Sequence, residues 1–406
     1  MKKVVKQNFL KIITLLITTV FLSACGSDTE DLSDICSPKN TEINWEALLT
    51  ANCQNLSDYN LFTDVNDPTS NPRSPGIPYD LSTALFTDYA TKYRYVFVPD
   101  GKSATYSEFE VMDFPVGTVL VKTFALPANT SDRDGAETII ETRLLINRSS
   151  GWTALPYYWE STSNASYVVA GKTVKDQKII HDNVELTFDY LVPQKNQCTK
   201  CHTVNPMRQG SDDNRSNIFK PIGPKSRYLN HDYEYAESTQ NQLLKWKTAG
   251  ILTGAPDDLN NIDTASDFHD DVNISGLSTQ ELNLAARSYL DINCAHCHRS
   301  ELTIPEANYE GPAGDSGLQM EFNRDFDTAP SKFGVCKQAV ASGKTEYPRD
   351  IIPGHADKSY LPFRMNSLDG THKMPELGRS TVHTEGVELI NAWINDMTMD
   401  DCGLTL

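Results

Sequence analysis

Two copies of the pattern C-x-x-C-H, Cys198-Thr199-Lys200-Cys201-His202 and Cys294-Ala295-His296-Cys297-His298, constrain this 406-residue chain more than any other feature. Two thiols three residues apart reach the two vinyl groups on one edge of a haem and can form a thioether with each, while the following imidazole swings under the iron. The expected site residues are Cys198, Cys201 and His202 for one covalently attached haem c and Cys294, Cys297 and His298 for a second. His202 and His298 are then the proximal ligands of the iron. Two other uses of paired cysteines fit less well. Zinc ribbons place their C-x-x-C pairs about 15–20 residues apart, whereas these begin 96 residues apart and both carry the trailing histidine. A thioredoxin-like redox disulfide needs a βαβ setting, which neither copy has.

Covalent haem attachment in bacteria takes place outside the cytoplasmic membrane, and the N-terminus agrees with export. Residues 1–24 hold Lys2, Lys3, Lys6 and Lys11, no acid, an apolar run from Ile12 to Leu22, and then Leu22-Ser23-Ala24-Cys25. The run is short for a membrane span, and the whole resembles a bacterial lipoprotein signal peptide, with Cys25 as the acylated residue of the mature chain. Acyl chains on Cys25 would anchor the protein stably. Gly26 after it resembles the sorting pattern of outer-membrane lipoproteins. The expected location is the cell envelope, lipid-anchored, at the outer membrane facing the periplasm or the cell surface. Setting aside Cys25 and the four motif cysteines leaves Cys36, Cys53, Cys336 and Cys402, an even number suited to two disulfides in an oxidising compartment. Four cysteines allow three pairings; local pairing would give Cys36–Cys53 and Cys336–Cys402.

Formal net charge is −18, and removal of the four signal lysines leaves 32 basic against 54 acidic residues, or −22. Nucleic acid and anionic membrane surfaces are poor partners for such a chain. A basic redox protein could be steered to it, although an acidic surface also serves simple solubility.

The pattern reads as an α+β fold: an N-terminal antiparallel β domain followed by two haem units, the second a complete helical cytochrome c-like domain. After the signal peptide (1–24) and a flexible tether (25–40), the β-rich domain occupies 41–195. Its strands are marked by Tyr93–Val98, Gly117–Phe124 and Thr138–Ile146, with turns at Pro99-Asp100-Gly101 and Ser149-Ser150-Gly151. Trp152, Tyr157, Tyr158, Trp159 and Tyr167 suit its core better than a ligand surface. The first haem unit spans 196–256 and includes a helix over 238–249 carrying Leu243, Leu244 and Trp246. An acidic linker follows at 257–277. The stretch from Pro256 to Asp271 contains six aspartates, without the Gly and final Glu of a calcium-binding EF-hand. The second unit spans 278–406. There Ser278-Thr279-Gln280-Glu281 is a capping box, and Leu282, Ala285, Ala286 and Tyr289 give an apolar helical face leading into Cys294. Val387, Ile390, Ile394 and Met397, with Trp393 beside them, mark a C-terminal helix.

A distal ligand for the second haem is expected from Met374, in Lys373-Met374-Pro375, because a loop methionine shortly before the C-terminal helix suits thioether ligation; Met365 is the reserve. His/Met coordination raises the reduction potential. The first haem has no single distal candidate: Met207, His231, Met365 and an open sixth position all remain.

From Leu56 to Met397 the chain resembles a family of bacterial two-haem c-type cytochromes. The carrying segments include Leu56-Ser57-Asp58-Tyr59, Gly117–Phe124, Glu141-Thr142-Arg143-Leu144-Leu145, Asn196-Gln197-Cys198, Pro221-Ile222-Gly223-Pro224-Lys225, Asn241-Gln242-Leu243, Ile352-Pro353-Gly354, Arg364-Met365 and Met374 to Arg379. The family usually shows a further Met just before Met374, where this chain has Lys373. The resemblance implies haem binding and electron transfer between envelope redox partners. It also implies, by analogy alone, a neighbouring exported β-helix protein as partner. Two rival expectations stand beside it. One is a di-haem oxidoreductase, a peroxidase or small-substrate dehydrogenase, working at an open first haem. The other makes the β domain a docking module.

Overall fold

The computed structural model describes residues 32–161, 164–206, 217–299, 309–340, 346–399 and 402–404. The signal peptide, Cys25 and Met207 lie outside them. The fold is mixed α+β around an N-terminal antiparallel sheet of six strands: β1 (Ile77–Pro78), β2 (Thr91–Phe97), β3 (Val119–Pro127), β4 (Glu137–Arg148), β5 (Gly151–Ser161) and β6 (Asn164–Tyr167), in that spatial order. Alternation along β2 to β5, interrupted by register shifts at Phe124/Ala125 and Trp159/Ser161, gives the sheet two different faces. On the outer face Tyr95, Val121, Leu144, Leu155 and Tyr157 are buried under α1 (Trp45–Thr50) and the chain from Leu56 to Phe62. Asn44 caps α1 by accepting from the Ala47 amide. Tyr157 and Trp159 fill this core, as their type favours. The inner face carries three cross-strand rows. One includes Phe124 and Glu141; the next aligns Arg94, Lys122, Arg143 and Pro156; the third aligns Val96, Leu120, Leu145 and Ala154.

A separate hairpin, β7 (Lys172–His181) and β8 (Val184–Val192), folds over the Phe124 end of the inner face through Ile179, Phe188 and Tyr190. From β8 the chain runs directly into one helical turn, α2 (Thr199–His202), and then β9 (Thr203–Pro206), which pairs with β10 (Ile218–Phe219) on one side. The helix expected over 238–249 is shorter, α3 (Gln242–Thr248), because Asn241 rather than Ser238 caps it, accepting from the amides of Leu243 and Leu244. Its Trp246 packs edge-on against Tyr79, so α3 covers the other end of the inner face.

The capping box forms as expected and starts α4 (Thr279–Asn293), which ends at Cys294. Tyr309–Glu310, here β11, adds to the free edge of β9. After α5 (Tyr360–Asn366) the C-terminal α6 (Thr384–Asn395) packs on α4. The two helices meet so closely at Gly386 that a Cβ there would fall 2.4 Å from the Tyr289 hydroxyl. The acidic segment is more than a solvated linker: Ile262, Ala265 and Phe268 are buried, the Phe268 amide donates to Ser82 and Arg133 pairs with Asp270. Both disulfides follow the local pairing, Cys36–Cys53 and Cys336–Cys402. No helix among the described residues is long and apolar enough to cross a membrane.

The joint between the chain preceding α3 and α4 is electrostatic. Asp291, 1 % exposed, accepts from Lys225 Nζ at 2.9 Å, Arg227 Nη1 at 3.2 Å, the Tyr228 hydroxyl at 2.8 Å and the Phe322 amide at 3.2 Å. Burial pushes its carboxyl up, but attraction to Lys225 and Arg227 and the hydrogen bonds they and Tyr228 supply more than offset this and hold it well below the ordinary 3.8. A depressed carboxyl contributes stability that is fully present above the ordinary carboxyl range and is lost as pH falls through the lower folded value. Removing one partner of a buried ion pair strands the other charges, so Asp291→Ala should cost about 3–5 kcal/mol in urea unfolding at pH 7. The difference from the parent should narrow only below about pH 4.

Candidate functional site

The first motif is positioned by the β9–β10 pair. The Lys220 amide donates to the His202 carbonyl at 2.8 Å, and His202 Nδ1–H donates back to the Lys220 carbonyl at 2.7 Å. The imidazole also stacks on Phe219, with ring centroids 4.8 Å apart and planes 4° from parallel. A carbonyl can only accept, so the proton sits on Nδ1 and Nε2 keeps its lone pair. Burial pushes the His202 pKa down to about 4.

The second motif begins at the C-terminus of α4, where the His298 amide donates to the Cys294 carbonyl. His298 is likewise engaged at Nδ1, which lies 2.9 Å from Ser316 Oγ, and burial lowers the ring's pKa to about 4. Both rings are thus neutral at physiological pH and held from the Nδ1 side, as imidazole ligands are. The four motif cysteines lie outside the two disulfides.

Each motif opens onto its own cavity. The first encloses about 1390 Å³ of space, its open mouth included, and is lined by Cys198, Cys201 and His202 together with inner-face residues of the sheet, among them Leu120, Lys122 and Leu145. The sheet is therefore a wall of this cavity rather than a detached module. The second, about 700 Å³ by the same measure, is lined by Cys294 and His298 and by Met374 and Met365. Of the distal candidates, Met374 and Met365 belong to the second cavity. His231 is engaged by Gln242 and Asp80 and is not in the wall of the first.

The two cavities adjoin. Phe86, Asn293 and Pro375 line both, and Asn293 fixes this partition by accepting from the Phe86 amide at 2.9 Å and donating to the Ala84 carbonyl at 3.1 Å. The motifs themselves touch: Cys297 Sγ lies 3.7 Å from the Lys200 carbonyl, and the thiols of Cys201 and Cys297 and a ring nitrogen of His296 all fall within 4.8 Å of one another. Gly311, which follows β11, packs so tightly against the second motif that a Cβ would lie 2.3 Å from the Cys297 carbonyl oxygen.

Several residues that matter here escape a reading of the sequence alone. His296, an unassigned position of the second motif, lines the first cavity, and its buried Nδ1 has no hydrogen-bond partner among the described residues. Arg379 holds the Met374 loop by donating to the carbonyls of Thr381, Ser367 and Met374. Arg94 and Lys122 could have been found from the alternation of β2 and β3, which puts them on one face. Comparison with protein-family models, curated proteins and solved structures gives no match to this chain.

Hydrogen bonds from a charged donor contribute about 1.5–3 kcal/mol each. Arg379→Ala should therefore free the loop from Met374 to Gly378 before it unfolds the protein. Amide exchange in that loop should quicken at least about tenfold, the equivalent of one such bond, while exchange in α4 stays as it was.

Proposed function

We propose that the protein holds two c-type haems, one in each cavity, and passes single electrons between them and on to a redox partner in the cell envelope. The observation that carries this reading is the convergence of two C-x-x-C-H motifs on adjoining cavities, with Cys201 beside Cys297 and one partition shared. The donor set fits the group. The first cavity presents the thiols of Cys198 and Cys201 and the second that of Cys294, each has an imidazole engaged at Nδ1, and each is walled mainly by apolar side chains.

Cys198, Cys201 and His202 would hold the first haem, and Cys294, Cys297 and His298 the second, where Met374, with Met365 in reserve, would supply a thioether to the iron. A bound haem supplies one-electron chemistry at its iron. The chain's own residues position and insulate: Lys220 and Ser316 orient the two imidazoles, Phe86 and Asn293 keep water from the partition, and Arg379 keeps the thioether of Met374 in place. Two disulfides agree with an oxidising compartment, and the lipoprotein signal with attachment through Cys25 to a membrane, the outer one by its sorting residue. The resemblance to two-haem c-type cytochromes points the same way, and an exported β-helix protein remains a partner by analogy.

Two further readings each have an observation behind them. The first cavity has no methionine among its described lining residues, which favours an oxidoreductase that binds a small substrate at an open first haem. The Cys201–His296–Cys297 group favours a zinc-like thiolate site instead. Intact-mass and pyridine-haemochrome analysis of protein made with a haem-attachment apparatus separates these. Two haems per chain are expected; none, with stoichiometric zinc, would replace the proposal. In the loaded protein, Met374→Ala should lower the midpoint potential of one haem and leave the spectrum of the other unchanged. Carbon monoxide binding to the reduced parent would favour the oxidoreductase.

A further inference from the structure

The inner face of the sheet carries three cations in register across three strands: Arg94 on β2, Lys122 on β3 and Arg143 on β4. All three line the first cavity. Arg143 is neutralised, its guanidinium bonded through Nε and Nη2 to the fully buried Glu141, which also accepts from the Tyr190 hydroxyl. The other two are not. Among the described residues Arg94, 7 % exposed, donates only a long 3.4 Å bond to the Lys92 carbonyl, and its buried Nη2 has no partner. Asp80 lies near enough to be felt by Arg94 but is paired with His231. Lys122 has no hydrogen-bond or ion-pair partner among the described residues and only the face of Phe124 at 4.9 Å. Burial first, and then the neighbouring Arg94, Lys92 and Arg143, push its pKa well down, which disfavours the ammonium form until an anion arrives beside it.

Uncompensated charge in such a place is costly, and a protein keeps it where a counter-charge arrives. The row has a direction. Arg143 is close enough to act electrostatically on Cys198 and His202. Lys122 and Arg94 lie one and two strand spacings further on, roughly 5 and 10 Å. A haem bonded through its vinyl edge carries its two carboxylates on the opposite edge, so the two unpaired cations are displaced from the thioether end in the sense its carboxylates require, and they match them in number.

We propose that Arg94 and Lys122 form a carboxylate-binding pair in the first cavity that takes the two propionates of the haem attached at Cys198 and Cys201. This rests on the haem reading above. It gives the β domain a role: the sheet is the electrostatic half of the first haem site. It also makes Arg94 and Lys122 determinants of that haem's potential, since nearby positive charge disfavours the ferric state.

The test uses the full-length, haem-loaded protein with Arg94→Gln, Lys122→Met and the double variant. Both haems should stay attached by mass. The midpoint potential of one haem should fall in each single variant and further in the double, and the propionate bending bands in its resonance Raman spectrum should move. Arg94→Lys and Lys122→Arg, which keep the charge and protect against loss of folding, should hold the potential while still shifting those bands. A double variant with two attached haems, an unchanged potential and unmoved bands would overturn the assignment. So would unmoved bands together with a visible shift on adding formate in the parent alone, which would give the pair to a free carboxylate. A parent without haem would instead sink the haem reading itself.

Discussion

A carboxylate with almost no access to water holds the two halves of this molecule in register. Asp291 lies one turn before Cys294 on α4 and takes Lys225, Arg227 and Tyr228 from the segment that follows the first motif. The desolvation of those charges is large, and only a geometry that satisfies every oxygen compensates for it. Because the partners sit a few residues beyond Lys220, which orients His202, the same cluster that fixes α4 also fixes the approach of the first motif to the second. The shared partition of Phe86, Asn293 and Pro375 and the contact between Cys201 and Cys297 follow from that alignment.

The sheet serves the same end by a different route. Alternation along its strands sends one set of side chains into a conventional apolar core beneath α1 and the other toward the first cavity. The hairpin β7–β8 and helix α3 close the two ends of the inner face. Between them remains a window in which Leu120, Leu145 and Ala154 lie beside the cationic row. The second cavity is built from loops and helices instead, with Met374 held by a single arginine that spends its donors on backbone carbonyls. Two unlike constructions thus frame two similar motifs.

Much of this was legible in the sequence where a local rule was sufficient. The capping box at Ser278, the apolar stripe of α4, the alternating strands and the local disulfide pairing all rest on interactions within a few residues or on proximity along the chain. The start of α3 was misplaced because Ser238 and Asn241 are both competent caps, and the short pairing of Thr239–Asn241 with Asp232–Glu234 draws the residues after Ser238 into a strand. The acidic segment reads as solvent-exposed by composition, yet three widely spaced apolar residues bury themselves in surfaces supplied by distant parts of the chain. The role of the sheet, the placement of His296 in the neighbouring cavity and the Asp291 cluster depend on contacts between residues some 60 to 200 positions apart, which no local pattern encodes.

The central claim is the proposal that the adjoining cavities would each hold a haem, bound by two motifs that meet at Cys201 and Cys297. Low-temperature EPR of the loaded protein through a reductive titration tests it most directly. Close, coupled haems predict that the ferric signal of the one still oxidised at half reduction differs from its contribution to the fully oxidised spectrum. Two signals that simply add, each vanishing without altering the other, would contradict the arrangement.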